Sequence, residues 1–134
     1  MEGDIQKLID NCHSMAEELL ISQDGELYPF GAQIDLIGEF KFINYHDGDE
    51  FPLSQTKINN LRLYFQKETQ ANNLRSYAIT FDCFAQKNED AERSDAIAIE
   101  CFSVDNNQSV IYYFPYSKSL HDEISFGEPW GEEM

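Results

Sequence analysis

"SYAITFDCFAQ", residues 76–86, alternates Tyr, Ile, Phe, Cys and Ala at odd positions with Ala, Thr, Asp and Phe at even positions. A period of two is typical of a half-buried strand in an antiparallel sheet. Two further strand candidates follow it, SDAIAIECFSV (94–104) and SVIYYFPY (109–116). The connecting segments KNEDAER and DNNQ are polar enough to form turns. Three consecutive antiparallel strands are therefore predicted.

A β-hairpin is predicted upstream, in GELYPFGAQIDLIGEFKFINY, residues 25–45. Two runs rich in aromatic and β-branched residues flank Asp35-Leu36-Ile37-Gly38, which is the pattern of two strands joined by a turn. Pro29 has no N–H to donate to a neighbouring strand. The first strand is therefore an edge strand at Pro29 or begins just after it.

Two amphipathic helices are predicted around this hairpin. From Asp4 to Leu20 apolar residues recur at intervals of three and four, and Asp4 is expected to be the N-cap. This helix should end before the turn at 23–25. The second helix should begin at Ser54 as N-cap, with Leu53 packing on the helix as a hydrophobic staple, and close at residues 70–73. Its predicted buried face is Ile58, Leu61, Tyr64 and Phe65.

The element order α-β-β-α-β-β-β predicts an α+β fold in two layers. A mostly antiparallel five-stranded sheet should be covered on one side by the two helices. The 134 residues are expected to form a single domain, 1–134, with an acidic C-terminal tail from about 117 to 134. In the tail, Ile124 and Phe126 are candidates for a short edge strand. Trp130 either serves as an anchor on a flexible peptide or folds back over the sheet.

The charge balance limits the classes of partner. The chain has 25 Asp and Glu residues against 9 Lys and Arg residues, a formal net charge of −16. Such a surface repels nucleic-acid phosphates and anionic lipids, so neither is expected as a partner, and a basic protein is the electrostatic complement. Neither a signal peptide nor an apolar run of about 20 residues is visible, so the cytoplasm is the expected location.

The sequence favours neither cofactor nor nucleophilic chemistry. The three cysteines, Cys12, Cys83 and Cys101, lack a C-x-x-C pair and are expected to be buried free thiols. Isolated glycines form no phosphate-binding loop, so no cofactor is predicted. Asp82, with Asp95 and Glu100, could form a catalytic carboxylate group if the strand register aligned them. A solvated sheet face is the favoured interpretation.

The segment YHDGDEFPLSQ, residues 45–55, places His46, Asp47, Asp49 and Glu50 close together. It is not an EF-hand, because only two of its acids alternate and Pro52 interrupts the segment. A divalent cation held with distant partners is one alternative. A solvated turn near the positive end of the following helix is favoured.

Aromatic residues are enriched in binding hot spots, and they cluster in the last predicted strand. Core packing is the common explanation for such clusters. The candidate protein-binding residues are Tyr113, Tyr116, Trp130, Asp47, Asp49 and Glu50.

The ordered series ELYPFGAQID, YHDGDEFPLSQ, YAITFDCFAQ, SDAIAIE and YYFPY resembles a group of small uncharacterised bacterial proteins. The resemblance covers residues 26–116 and implies no activity or functional residue. The element order is also similar to profilin-type and roadblock-type domains, which are binding modules; fold alone does not fix function.

The favoured hypothesis is a non-catalytic protein–protein interaction module, with a homodimer left open. An immunity or antitoxin-like inhibitor of a basic toxin is the second hypothesis, because electrostatic steering accelerates such association. A metal-dependent hydrolase that uses the His46–Glu50 turn is the third. Whether the chain is an enzyme is left open, with the non-enzymatic role favoured.

Overall fold

The structure is a computed structural model that describes residues 2–22, 27–43, 54–90, 92–104, 107–118 and 123–133. Within these ranges, two helices and seven strands follow one another along the chain. They are α1 (Glu2–Ser22), β1 (Phe30–Asp35), β2 (Phe40–Ile43), α2 (Ser54–Gln70), β3 (Leu74–Ala85), β4 (Ser94–Ser103), β5 (Gln108–Lys118), β6 (Ile124–Phe126) and β7 (Trp130–Glu133).

The strands form one antiparallel sheet in the order β2-β1-β3-β4-β5-β6, with β7 also paired to β5. The three consecutive strands predicted from residue 76 onward are β3, β4 and β5, and they pair as neighbours. The α+β class and the mostly antiparallel open sheet are therefore confirmed. The described residues contain two strands more than the five predicted, because the C-terminal segment adds β6 and β7.

The predicted hairpin is β1 with β2. The strand begins at Phe30, directly after Pro29, and lies between β2 and β3 instead of at an edge. The carboxylate of Asp35 accepts hydrogen bonds from the backbone N–H groups of Ile37 at 3.0 Å and Glu39 at 2.8 Å. An aspartate that binds its own following backbone in this way stabilises a tight turn.

Helix α1 packs on one face of the sheet. Its apolar side chains Ile5, Leu8, Ile9, Cys12, Ala16 and Leu20 form one buried cluster with Phe30, Ala32, Ile34, Ala78, Ile97, Ile99, Cys101 and Val110. These strand residues alternate along β1 and β4, as side chains on one face must. We call this side of the sheet the α1 face.

Asp4 does not cap α1, because the helix begins at Glu2 and Asp4 lies in its first turn. Its carboxylate instead accepts hydrogen bonds from the guanidinium of Arg75, at 2.8 and 2.9 Å, and from the Ser76 hydroxyl at 2.8 Å. These contacts fasten the start of α1 to β3. Sequence spacing gives no sign of such a long-range partner.

Helix α2 packs on the other face, which we call the α2 face. Ile58, Leu61 and Phe65 form a second cluster with Leu74 and Ile79. Ala78 lies in the α1 cluster and its neighbour Ile79 in the α2 cluster, and successive side chains of a strand point to opposite faces. The helices therefore lie on opposite faces, which corrects the predicted two-layer arrangement with both helices on one side.

The approach of α2 to the sheet is close at Gly31. A Cβ atom at Gly31 would lie 2.7 Å from Cζ of Phe65, so any larger residue would displace that ring. The predicted buried residues of α2 are confirmed, with Tyr64 partly buried. The helix closes where predicted: Asn72 has a φ of 58°, and the N–H of Asn73 binds the Glu68 carbonyl at 3.0 Å. Leu53 and the Ser54 side chain, predicted as staple and cap, lie outside the part of the chain that the structure describes.

The C-terminal segment forms one interrupted edge strand along β5. Tyr116 pairs with Phe126 and Tyr113 with Trp130, so three steps along β5 match four steps along the segment. One extra residue is the definition of a β-bulge. At the bulge, the N–H of Gly127 donates to the Pro115 carbonyl at 2.8 Å. The short edge strand predicted at Ile124 and Phe126 is confirmed as β6, whereas β7 was not predicted.

Candidate protein-binding surface

Four side chains form a row across the α2 face, from Phe81 on β3, which packs against the α2 cluster, to Trp130 on the edge strand β7. The register pairs Phe81 with Ala98, Ala98 with Tyr113, and Tyr113 with Trp130. The three aromatic members are partly buried, and Ala98 between them is fully buried. We call Phe81, Ala98, Tyr113 and Trp130 the aromatic row.

A second row lies directly beside it and carries acidic groups. Ile79 pairs with Glu100, Glu100 with Ile111, and Ile111 with Glu132. We call these four residues the acidic row. Glu100 is bound by the guanidinium of Arg62 from α2, whereas Glu132 lies on the edge strand β7 and is exposed. The surface therefore combines apolar rings with a carboxylate at its open end.

Tyr113 and Trp130 form the centre of this surface. Their rings stack, with centroids 5.1 Å apart and planes inclined by 26°. Burial raises the pKa of the Tyr113 hydroxyl, and the carboxylates of Glu132 and Glu100 raise it further. The tyrosine therefore stays a neutral hydrogen-bond donor at physiological pH. The indole Nε1 of Trp130 is buried and has no hydrogen-bond partner among the described residues.

The bulge in the edge strand decides which face Trp130 joins. Phe126 lies on the α1 face, where its ring centroid is 4.6 Å from that of His13. In a regular strand, residues four apart share a face, so Trp130 would also point towards the α1 face. The extra residue reverses the alternation and brings the indole onto Tyr113. Trp130 thus neither hangs on a flexible peptide nor folds over the sheet as a lid.

Tyr116, the third aromatic residue of the predicted binding set, lies on the α1 face. Its hydroxyl donates to a carboxylate oxygen of Asp82 at 2.9 Å. Partial desolvation raises the pKa of Asp82, and the charge of Asp95 acts in the same direction. Burial, with the bond to Asp82, raises the pKa of Tyr116 as well. The structure therefore separates Tyr116 from the other two predicted aromatics.

The predicted acidic members of the binding set, Asp47, Asp49 and Glu50, lie outside the described residues, as does His46. The cation site and the solvated turn proposed for that segment stay predictions. Among the residues that the structure does describe, no group of three or more His, Cys, Asp and Glu side chains is arranged to hold a metal ion.

The carboxylates of the late strands do not converge on one face. Asp82 interacts with Asp95, but Glu100 lies on the α2 face with Arg62. A catalytic group of all three, which the sequence left open, is therefore excluded by the strand register. The pattern could not decide this question, because a shift of one residue exchanges the two faces.

The three cysteines are free thiols, as predicted. Cys12 and Cys101 are buried, and Cys83 is partly buried. Burial raises the pKa of the Cys12 and Cys83 thiols to about 11. Since the thiolate is the nucleophilic form, neither residue is activated for covalent chemistry.

Six of the eight members of the two rows are absent from the predicted binding set, among them Phe81, Glu100 and Glu132. The odd-numbered side of SYAITFDCFAQ contains Phe81, so its period already placed it on one face with Ile79. The sequence alone does not show that β3 pairs with β4 and β5 with β7, and these pairings bring the members of each row together.

No helix in the described part of the chain is both long and apolar enough to cross a membrane.

No protein-family model matches the chain, and comparisons with curated proteins and with solved structures give no match either. The resemblance to small bacterial proteins and the similarity to profilin-type and roadblock-type domains therefore stay predictions.

Proposed function

We propose that this chain is a non-catalytic protein-binding module that holds a basic partner on the α2 face, over the aromatic row. An immunity-like inhibitor of a basic toxin would be one case of this role. The observation that carries the proposal is the stacked pair of Tyr113 and Trp130, which is partly exposed and lies beside the carboxylate of Glu132.

Aromatic side chains with a large rigid surface are the residues that contribute most to binding hot spots. A cation from the partner gains twice at this surface, from the carboxylate of Glu132 and from the ring faces of Tyr113 and Trp130. The formal net charge of −16 extends the attraction beyond contact distance and accelerates encounter with a basic molecule.

The chain contains a single tryptophan, so selectively excited tryptophan emission reports on this surface. We would titrate the protein with the synthetic peptide RVRVRV and record the Trp130 emission at low and at physiological salt. We expect saturable binding with a change in emission, weakened by salt because exposed charges are screened. Unchanged emission together with absent heat in calorimetry would refute the proposal.

Two matched variants test which face of the sheet binds the peptide. Tyr113→Leu and Tyr116→Leu make the same change on the same strand but on opposite faces. We expect Tyr113→Leu to weaken binding of RVRVRV clearly and Tyr116→Leu to leave it near the wild-type value, with circular dichroism confirming that both fold. Equal loss in both variants would contradict binding at the aromatic row.

A further inference from the structure

The outer side of β7 is an open sheet edge. Within the described residues, β7 pairs with β5 on one side and with no strand on the other. Alternate residues of an edge strand direct their backbone N–H and C=O groups away from the sheet, where they can pair with another extended chain. Such an edge is the structural requirement for strand addition by a partner.

The side chains of β7 indicate which residues an added partner strand should carry. Trp130 and Glu132 are two residues apart and both point to the α2 face, whereas Glu133 points to the α1 face. Side chains on an added strand would stand about 4.5–5.5 Å from those of β7. Lysine or arginine at alternate positions would place one cation beside Glu132 and the next beside the ring of Trp130.

Gly131 lets β7 lie close against the ring of Tyr112. A Cβ atom at residue 131 would lie 2.7 Å from Cε1 of Tyr112, so only glycine allows the strand to lie against that ring. By strand alternation, the Trp130 and Glu132 side chains lie together on the opposite face of β7.

A second copy of the chain is a poor occupant of this edge. Glu132 and Glu133 make up half of the four-residue strand, so two β7 strands side by side would bring like charges together. Acidic groups on an edge are a common protection against self-pairing. The same groups attract a basic strand, and the formal net charge of −16 favours that choice.

We propose that the outer edge of β7 accepts an extended basic segment of a partner protein as an added strand, with cationic side chains at alternate positions beside Trp130 and Glu132. This inference rests on the proposed function and adds the manner of docking: backbone pairing to β7 supplies affinity, and the alternating cations supply specificity.

The test compares RVRVRV with the same peptide methylated at its interior backbone amides. Methylation removes the N–H donors but leaves the charges and side chains. We expect the methylated peptide to bind about tenfold more weakly or worse, because strand addition depends on main-chain hydrogen bonds. Hydrogen exchange at residues 130–133 should slow with RVRVRV alone.

Glu132→Gln and Glu133→Gln give the matched protein variants, since they remove the same charge from adjacent exposed positions on opposite faces. Glu132→Gln should weaken RVRVRV binding several-fold more than Glu133→Gln. If both peptides bind equally and exchange at 130–133 is unchanged, strand addition is wrong while the proposed function stands. If neither peptide binds, both are wrong.

Discussion

The two faces of the sheet contain alternate residues of the same strands, yet they meet different surroundings. On the α1 face, helix α1 contacts β1, β3, β4 and β6. On the α2 face, helix α2 packs mainly on β1 and β3, and the three rings of the aromatic row stay partly exposed. The comparison shows that alternating apolar residues predict a strand but do not distinguish core from binding surface. Whether a helix covers the apolar residues of a strand decides between core and binding surface.

The largest expected effect tests this difference on the α2 face itself. Phe65→Ala removes a fully buried ring that packs between α2 and the sheet. It should lower the free energy of unfolding by about 3–5 kcal/mol. Phe81→Ala, in the aromatic row, should cost less than half as much because its ring is already partly exposed. Urea denaturation of both variants measures the two losses, and equal losses would break the comparison.

The next effect concerns the edge strand. Gly131→Ala forces a Cβ atom against Tyr112 and should cost about 1–3 kcal/mol, with a change in Trp130 emission as β7 shifts. Gly3→Ala is the control, since a Cβ atom there meets nothing within 4 Å. It should be neutral or stabilise α1 by up to about 1 kcal/mol. An unchanged unfolding midpoint for Gly131→Ala would show that β7 tolerates displacement.

The prediction of the fold from sequence succeeded where the signal was local. The period of residues 76–86 and the apolar intervals of α1 depend on neighbouring residues, and both elements were found. The bulge before Trp130 was not predictable in this way. A single added residue in 127–129 leaves no periodic trace but reverses which side chains reach the α2 face. The candidate site was therefore only half predicted: its aromatic centre was named, while its geometry depends on strand pairing.

The ion pairs Asp4–Arg75 and Glu100–Arg62 lie on opposite faces and extend the comparison. Asp4 accepts three hydrogen bonds on the α1 side, so Asp4→Asn should cost about 1–2 kcal/mol at pH 7. Glu100→Gln breaks the pair with the more exposed Arg62, and we expect a loss below about 1 kcal/mol.

The pH dependence of stability identifies the Asp4 contribution. The hydrogen bond from Arg75 holds the pKa of Asp4 below its usual value of 3.8. A group with a lowered folded-state pKa stabilises above its unfolded pKa, and this stability is lost as the pH falls through the folded value. The difference between wild type and Asp4→Asn in urea denaturation should therefore shrink below about pH 4. A constant difference down to pH 2 would contradict the assigned bond.

The smallest expected effect lies on the α1 face, where the ring of His13 packs between Phe114 and Phe126 at centroid distances of 4.4 and 4.6 Å. Burial lowers the pKa of His13, although the charges of Glu17 and Asp10 act in the opposite direction. The neutral ring therefore stabilises the fold above the unfolded pKa of 6.5, and protonation removes this contribution as the pH falls.

His13→Phe keeps an aromatic ring between the two phenylalanines and cannot be protonated. The variant should gain stability relative to wild type as the pH falls from 8 to 5, by less than about 1 kcal/mol because the opposing carboxylates limit the shift. Thermal unfolding followed at both pH values measures the change. If the wild type instead gains on the variant at pH 5, the carboxylates and ring faces favour the imidazolium more than burial disfavours it, and the α1 face is more polar at this position than its packing implies.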